Sequence, residues 1–151
     1  MEPTAPATTL PPEIRKVISR FQSMGREEKM QSLVAYAKRL EPVPERLASL
    51  ERTAFTVPEC QTRVDLFSEM HDGRMHFWAD VNVRQSPTVA AFLSITLSAV
   101  NDQPPATTLA IPPDFVSSMM SGLGLSAREV GLNALVSRLK REARKALDSE
   151  G

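Results

Sequence analysis

Apolar residues in the first quarter of the chain recur every three to four positions, which is the period of an amphipathic α-helix. The pattern predicts one helix over about 11–24 and a second over about 26–40, with Pro42 as the stop signal of the second. The predicted buried face of the second helix carries five apolar residues, Met30, Leu33, Val34, Ala37 and Leu40. Two such helices form a hairpin whose apolar stripes must be covered by elements later in the chain.

Between 64 and 81 apolar and polar residues alternate, which indicates β-strands with one buried face. Asp72-Gly73 is a typical reversal between two antiparallel strands. With Thr56 and Val57 as a candidate third strand, the sheet is expected to be small and antiparallel. The predicted fold class is therefore α+β, with about three strands packed against helices.

The segment 88–100 is apolar around nearly its whole circumference, which predicts a buried helix. Ser86 and Pro87 are the residue types preferred at an N-cap and at the first helical position. A proline-containing connection over 101–108 follows, and then a short helix over 113–120. The buried helix is expected to be the centre of the core.

The last predicted helix begins where Ser126 and Glu129 have the spacing of a capping box, and it extends to Leu147. Its leucines form one apolar stripe, and the opposite face is basic and expected to be solvated. That basic face consists of Arg138, Lys140, Arg141, Arg144 and Lys145.

With 151 residues the chain fits one domain, predicted over 10–151, after a leader over 1–9 that is rich in Pro, Ala and Thr and is expected to be disordered. The 18 Lys and Arg residues balance 18 Asp and Glu residues, which excludes a general electrostatic attraction to nucleic acid or to an anionic membrane. The sequence shows neither a secretion signal nor an apolar run long enough to cross a bilayer. We therefore expect a cytoplasmic protein.

Cys60 is the only cysteine and lies in a polar turn, whereas an inert cysteine is usually found in an apolar run. A thiol that solvent can reach is expected, and it has no second cysteine with which to form a disulfide. The residues leave three interpretations open: a sulfur carrier, a binding or regulatory module in which Cys60 is incidental, and a cysteine enzyme that uses His71 or His76 as its base. Neither histidine forms a metal-ligand spacing with Cys60.

The segment VPECQTRV around Cys60 resembles the cysteine loop of the SufE family. The resemblance extends over roughly 10–147 and includes the early helical hairpin, the strand pair ending in HFWAD, the segment SPTVAAFLSI, and LSAREVGL before the last helix, all in family order. It implies a fold of a few antiparallel strands packed with helices, similar to the NifU-type scaffold proteins.

The resemblance also implies a function. Cys60 corresponds to the cysteine that accepts sulfane sulfur as a persulfide from a SufS-type cysteine desulfurase. The protein is then implied to stimulate that enzyme and to pass the sulfur to an iron–sulfur scaffold of the SufBCD or SufU-like kind. No cofactor of its own is implied, because the pyridoxal phosphate (PLP) belongs to the desulfurase. No independent catalytic turnover is implied either.

Arg128, together with Gly131, corresponds to the Arg-x-x-Gly motif that opens the last helix in the family. A cation in the first turn of a helix opposes the helix dipole, which favours a functional reason for its position. We expect Arg128 to lie beside the Cys60 loop and to hold the persulfide anion or an acidic group of the desulfurase. Simple surface use is the alternative.

The chain departs from the family pattern at three positions. Glu59 stands where many relatives have Gly, and its charge is expected to raise the pKa of Cys60 unless Arg63 offsets it. Asp65 stands near where many members carry Trp, and Ala91 replaces a frequent Gly. These departures bear on packing and partner preference.

Overall fold

The computed structural model describes residues 11–53, 55–58, 62–121, 123 and 126–150, with only the backbone described at 126, 127 and 150. The predicted leader over 1–9 lies outside these residues. The predicted helices and strands occur in the predicted order, and two short helices, one before the hairpin and one after the buried helix, are present as well. The described elements are α1 (Pro12–Gln22), α2 (Arg26–Ala37), α3 (Glu45–Ala48), β1 (Asp65–His71), β2 (Arg74–Asp80), α4 (Pro87–Val100), α5 (Pro105–Leu109), α6 (Phe115–Met120) and α7 (Ser126–Glu150).

The predicted β-hairpin is confirmed. β1 and β2 pair antiparallel, with Asp65 opposite Asp80 at the open end of the hairpin. The turn at the other end has Asp72 at φ 52° and Gly73 at φ 79°, and a tight two-residue reversal of type I′ needs this left-handed backbone at both positions. The candidate third strand is reduced to a single bridge between Thr56 and Asp65, so the described sheet has two strands.

The predicted buried helix, α4, is the centre of the main core. Every residue from Val89 to Leu97 is buried. The helical hairpin of α1 and α2 packs against α4, β2 contacts α4 as well, and α7 packs against α5 and α6. The inner face of the sheet, represented by Leu66 and Phe77, joins this core. Helices thus cover the apolar face of the sheet, as the alternating pattern requires.

The outer face of the hairpin is covered by the segment between α2 and β1. Phe67 and Trp78 are opposite each other in the register and form a second, smaller cluster with Leu47 of α3. Val43 and Phe55 pack against the same cluster. The segment that leads to Cys60 is therefore held against the sheet at several points.

The prediction for the buried face of α2 is wrong in part. Met30 and Val34 are 43% and 56% exposed, whereas Lys29 is only 5% exposed and Leu33 is buried as expected. Lys29 lies one turn before Leu33, so its methylene stem extends the apolar row, and its ammonium group donates to the backbone oxygen of Ser121 at 2.9 Å. The helix is rotated by a fraction of a turn from the prediction.

The basic face of α7 is not wholly solvated, contrary to the prediction. Arg138 is 9% exposed, and Nζ of Lys140 donates to the backbone oxygen of Ile111 at 2.6 Å. Burial lowers the pKa of Lys140 from its ordinary value. Arg141 and Arg144 remain exposed, because they lie at the middle of the polar face. None of the described helices, α7 included, is long and apolar enough to cross a membrane.

Candidate functional site

Cys60, with Glu59 and Gln61, lies outside the described residues, but both ends of its loop are described. The backbone N–H of Val57 donates to the backbone oxygen of Val64 at 2.9 Å. Both valine side chains are buried, at 1% and 0% exposure. The Cys60 loop, residues 57–64, is therefore closed at its base by a backbone hydrogen bond and by two side chains anchored in the core.

A cleft of about 730 Å³ opens beside the described end of this loop. It lies between the end of the loop, the open end of the hairpin and the start of α4. Its walls are rich in charged and hydroxyl side chains, which include Arg52, Thr62, Arg63, Asp65, Asp80 and Ser86.

Arg52 joins the two carboxylates that face each other across the open end of the hairpin. Its Nη1 donates to Oδ2 of Asp65 and to Oδ2 of Asp80, each at 2.8 Å, and its Nη2 donates to the backbone oxygen of Ala48 at 2.9 Å. Two like charges directly opposite in a sheet repel unless a cation lies between them. The hydrogen bonds to Asp80 and Asp65 raise the pKa of Arg52 further above its usual range.

Asp65 contacts both ends of the Cys60 loop. Its Oδ1 is hydrogen-bonded to the hydroxyl of Thr56, and its Oδ2 lies 3.5 Å from Nε of Arg63. The backbone oxygen of Thr56 also accepts a hydrogen bond from Nη1 of Arg138 at 3.2 Å. Thr56 comes just before the loop and Arg63 lies within its far end, so both sides of Cys60 are tied to one buried carboxylate.

The start of α4 contacts the loop through Ser86. Ser86 occupies the N-cap position as predicted, and Pro87 is the first helical residue. The predicted side-chain cap is not formed, because the Ser86 hydroxyl donates instead to Oγ1 of Thr62 at 3.3 Å. The contact places the positive end of a 14-residue helix beside the cleft.

The predicted proximity of Arg128 to Cys60 involves a residue outside the described ones and stays a prediction. Arg128 lies in the first turn of α7 with an exposed side chain. The C-terminal half of α7, at Lys145, lines a shallow pocket with Ser68 near the turn end of the hairpin, whereas Arg138 reaches Thr56 at the open end. The N-terminal half of α7 therefore runs toward the loop side of the sheet.

The two histidines lie toward the other end of the hairpin. His71 borders the turn with a side chain that is 92% exposed. Nε2 of His76 is 2.8 Å from Oε1 of Glu41, and its Nδ1 is 2.9 Å from Oδ1 of Asp102. Burial lowers the pKa of His76, but the hydrogen bonds to Asp102 and Glu41 outweigh it and raise the pKa above its ordinary value. Two carboxylates that favour the protonated form of a histidine make it a poorer general base.

His76 is also remote from the cleft along β2. Asp80 is four positions farther along the strand, which corresponds to about 13 Å. Among the described residues no group of three His, Cys, Asp or Glu side chains is arranged to hold a metal ion.

Neither Arg52 nor Arg138 is predicted from the sequence to be part of this site. A signal for Arg52 was present, because Asp65 and Asp80 occupy matching ends of a predicted hairpin and such a pair calls for a cation. For Arg138 the sequence contains no such indication. Its position at the edge of the apolar face of α7 does not show which residue its guanidinium contacts.

Comparison with known proteins agrees with the predicted family. The SufE model, described as an Fe–S metabolism associated domain, matches residues 15–143. An uncharacterized SufE-like protein of Mycobacterium tuberculosis is 34% identical over 147 residues, which cover 95% of this chain and 99% of that protein. An uncharacterized SufE-like protein of Synechocystis is 25% identical over 140 residues, which cover 92% of this chain and 83% of that protein.

A solved structure supports the fold. The solution structure of a hypothetical protein from Thermus thermophilus has a TM-score of 0.75 and 28% sequence identity to this chain. The match covers 93% of this chain and 99% of that protein. The predicted α+β fold, a small antiparallel sheet packed with helices, is thereby confirmed.

Proposed function

Because the chain belongs to the SufE family, we propose that it accepts sulfane sulfur as a persulfide on Cys60 from a SufS-type cysteine desulfurase in the cytoplasm. In this proposal it stimulates the desulfurase and hands the sulfur to an iron–sulfur scaffold of the SufBCD or SufU-like kind. The coarser role in Fe–S metabolism rests on the family match over residues 15–143. The acceptance of sulfur and the identity of the partners are the further steps of the proposal.

The observation that supports this function best is the base of the Cys60 loop. The only cysteine lies between Val57 and Val64, which are both buried and joined by a backbone hydrogen bond. A closed base gives a reactive side chain in the loop a rigid support, which suits presentation to a partner. The absence of a second cysteine suits a carrier that passes sulfur on without forming an internal disulfide.

The chemistry is a thiolate exchange with no net redox change. The Cys60 thiolate attacks the outer sulfur of a persulfide on the desulfurase, a new sulfur–sulfur bond forms, and the bond within the donor persulfide breaks. The donor cysteine leaves as a thiolate, and the outer sulfur now belongs to a Cys60 persulfide. Transfer to the scaffold repeats the same step in the forward direction, so the chain needs no cofactor of its own. PLP is expected to act in the desulfurase.

Two described features favour the anionic form of sulfur in this loop. The positive end of α4 lies beside Thr62, two residues from Cys60, and Arg63 follows one residue later with a side chain that is 69% exposed. Both lower the pKa of a neighbouring thiol, whereas the charge of Glu59 raises it. Nε of Arg63 lies 3.5 Å from Oδ2 of Asp65, which is a long contact. In this proposal the exposed guanidinium can turn toward an anion in the loop.

Intact mass after incubation with desulfurase and cysteine tests the proposal. The parent protein is expected to gain the mass of one sulfur, about 32 Da, and Cys60→Ser to gain none, because a hydroxyl cannot form a persulfide. Cys60→Ser is also expected to abolish stimulation of the desulfurase. Unchanged stimulation by this variant would identify the chain as a regulatory module, and an adduct with a small electrophilic substrate would identify a cysteine enzyme.

Arg128 is proposed to stabilise the persulfide anion or to grip a carboxylate of the desulfurase. Its exposure and the direction of α7 toward the loop side of the sheet support this role. A guanidinium makes two parallel hydrogen bonds that an ammonium group cannot reproduce. Arg128→Lys is therefore expected to slow sulfur transfer severalfold, and Arg128→Ala to slow it further, with the melting temperature within a few degrees of the parent. The matched control is Arg141→Lys, because Arg141 is exposed on the same helix and lies on the C-terminal side of Arg138, whereas Arg128 lies on its N-terminal side. Transfer at the parent rate by both Arg128 variants would show that Arg128 is an ordinary surface residue.

A further inference from the structure

Asp65 is a buried carboxylate that the sulfur chemistry itself does not use. Its side chain is 3% exposed and lies 2.8 Å from Nη1 of Arg52. Taking a charge out of water is unfavourable, and an apolar residue in such a place often gives equal or greater stability. Stability alone is therefore a weak reason for a charged side chain at this position.

The partners of Asp65 lie on both sides of Cys60. The hydroxyl of Thr56 bonds Oδ1 before the loop, and Nε of Arg63 lies 3.5 Å from Oδ2 at the far end of the loop. Arg52 anchors the same carboxylate from the other side, because its Nη2 is hydrogen-bonded to the backbone oxygen of Ala48. We call the residues at the two ends of the loop, Thr56 on one side and Arg63 on the other, its two stems. Asp65 therefore joins both stems and the segment before the loop at one point.

We propose that Asp65, held by Arg52, is a positioning residue that fixes the spacing of the two stems and so presents Cys60 to the desulfurase in one arrangement. The inference rests on the proposed function. Attack on the outer sulfur of a persulfide requires the sulfur atoms to approach in line, and a displacement of about 1 Å can slow such a step 100-fold. Asp65 acts through the stems and does not touch the transferred sulfur.

Glu69 provides a matched control on the same strand. It faces the same side of β1, since the two positions differ by an even number of residues, and it binds Arg46 through two hydrogen bonds of 2.6 and 3.2 Å. It lies about 13 Å farther along the strand from the loop. Glu69→Gln therefore removes a carboxylate–arginine contact of the same kind without touching the loop stems.

The experiment compares Asp65→Asn and Glu69→Gln in persulfide formation on Cys60, followed by intact mass at several protein concentrations and at a temperature where both variants are fully folded. We expect Asp65→Asn to lower the maximal rate about tenfold with little change in the half-saturating concentration. The variant should still bind the desulfurase, but Cys60 should no longer be held in the arrangement that transfer requires. Glu69→Gln is expected to behave like the parent. Transfer by Asp65→Asn at the parent rate overturns the proposal.

Alkylation of Cys60 by iodoacetamide in the free protein separates this inference from the proposed function, because it needs no desulfurase. We expect Asp65→Asn to change the alkylation rate constant at least threefold and Glu69→Gln to leave it unchanged. If the parent takes up no sulfur, the proposed function fails and the alkylation contrast alone decides whether Asp65 positions the loop. Equal alkylation of both variants then overturns the inference.

Should Asp65→Asn fail to fold, Thr56→Val takes its place. This variant keeps the pair of Arg52 and Asp65 and removes only the hydroxyl that ties the first stem to the carboxylate. We expect about a threefold loss in the maximal rate of sulfur transfer. Parent behaviour of Thr56→Val in both transfer and alkylation overturns the proposal in that case.

Discussion

The outer face of the hairpin carries two charge clusters that look alike and differ in one property. At the open end, beside the Cys60 loop, Arg52 lies between Asp65 and Asp80, and we call these three residues the arginine cluster. Phe67 and Trp78 separate it from the second cluster. The cation of the arginine cluster keeps its charge at every pH at which the protein is folded.

Toward the turn end, His76 lies between Glu41 and Asp102, and we call these three residues the histidine cluster. It joins the segment after α2, the middle of β2 and the loop after α4. Its cation is a histidine whose pKa is raised by these carboxylates, so the attachment of the segments to one another weakens once the pH rises through that pKa.

The difference between the clusters matters for thiol chemistry. A thiolate forms more readily as the pH rises, and over that range the histidine cluster loses its charge. The arginine cluster does not, so under the positioning role proposed for Asp65 the two sides of the Cys60 loop keep their link at the pH values that favour a thiolate. The permanent cation therefore lies beside the Cys60 loop, and the titratable cation lies toward the other end of the hairpin.

Removal of the permanent cation should produce the largest effect. Arg52→Ala leaves the buried carboxylate of Asp65 with Arg63 at 3.5 Å and the hydroxyl of Thr56, and we expect a loss of about 3 kcal/mol in the free energy of unfolding at pH 7. Urea-induced unfolding measures it. Arg46→Ala is the control on the same face, because its partner Glu69 is partly exposed, and it should lower the midpoint much less. Equal losses would show that the two arginines are equivalent.

The histidine cluster should stabilise the fold in a pH-dependent way. The pKa of His76 is raised in the folded state, so its contribution is complete below the ordinary value of about 6.5 and is lost as the pH rises through the folded pKa. Besides Glu41 and Asp102, Glu69 faces His76 across the sheet and adds to this effect. The stability difference between the parent and His76→Gln should therefore shrink as the pH rises above about 6.5. Unfolding of both proteins at several pH values measures it.

The contrast between the clusters gives the control for that titration. The stability difference between the parent and Arg52→Ala should stay constant over the same pH range, because a guanidinium does not deprotonate there. A difference for His76→Gln that is constant or grows with pH would contradict the assignment of His76 as the titrating cation.

A smaller effect is expected from Trp78→Phe. Nε1 of Trp78 donates to Oε2 of Glu41 at 2.9 Å, so the variant keeps most of the aromatic contact and removes one hydrogen bond to a carboxylate. We expect a loss of about 1 kcal/mol in the free energy of unfolding. The pKa of His76, followed by NMR, should change as well, since Glu41 is then held by one partner fewer. An unchanged His76 titration would mean that Glu41 is positioned by other contacts.

The smallest effect is expected from Glu69→Gln. Its contact with Arg46 is exposed to solvent and to salt, and pairs of this kind add little to stability. The melting temperature should change by roughly 2 °C or less at low salt and by still less in 1 M salt. A shift as large as that of Arg52→Ala would show that exposure does not distinguish the two clusters.

The sequence predicted the elements well because each carries a local signal. Asp72-Gly73 fixed the turn of the hairpin, and the apolar circumference of 88–100 identified the buried helix. The buried face of α2 was harder to predict, because Lys29 and Met30 are neighbours and a charged side chain is normally expected to be the exposed one. Only the carbonyl of Ser121, distant in sequence, makes the burial of Lys29 favourable.

Cys60 as the reactive residue stays a prediction, made from residue types close to it in sequence, and its structural support could not be predicted in this way. Arg52 meets Asp65 only through the register of the hairpin, and Arg138 meets Thr56 only through the path of α7. Asp65 was noted as a departure from the family, but its meaning depended on a cation from a segment that has little periodicity of its own. Pairings of this kind are tertiary facts that a linear pattern does not contain.

The base of the Cys60 loop has a consequence for how such a protein can change over generations. Val57 and Val64 are buried and joined by a backbone hydrogen bond, so their contacts offset the loss of chain entropy on closing the loop. Lengthening the loop from eight to ten residues adds only about 0.2 kcal/mol of closure entropy. Changes of length or residue type between the two valines are thus expected to cost the fold little, and an engineer can graft a different loop onto the same two valines.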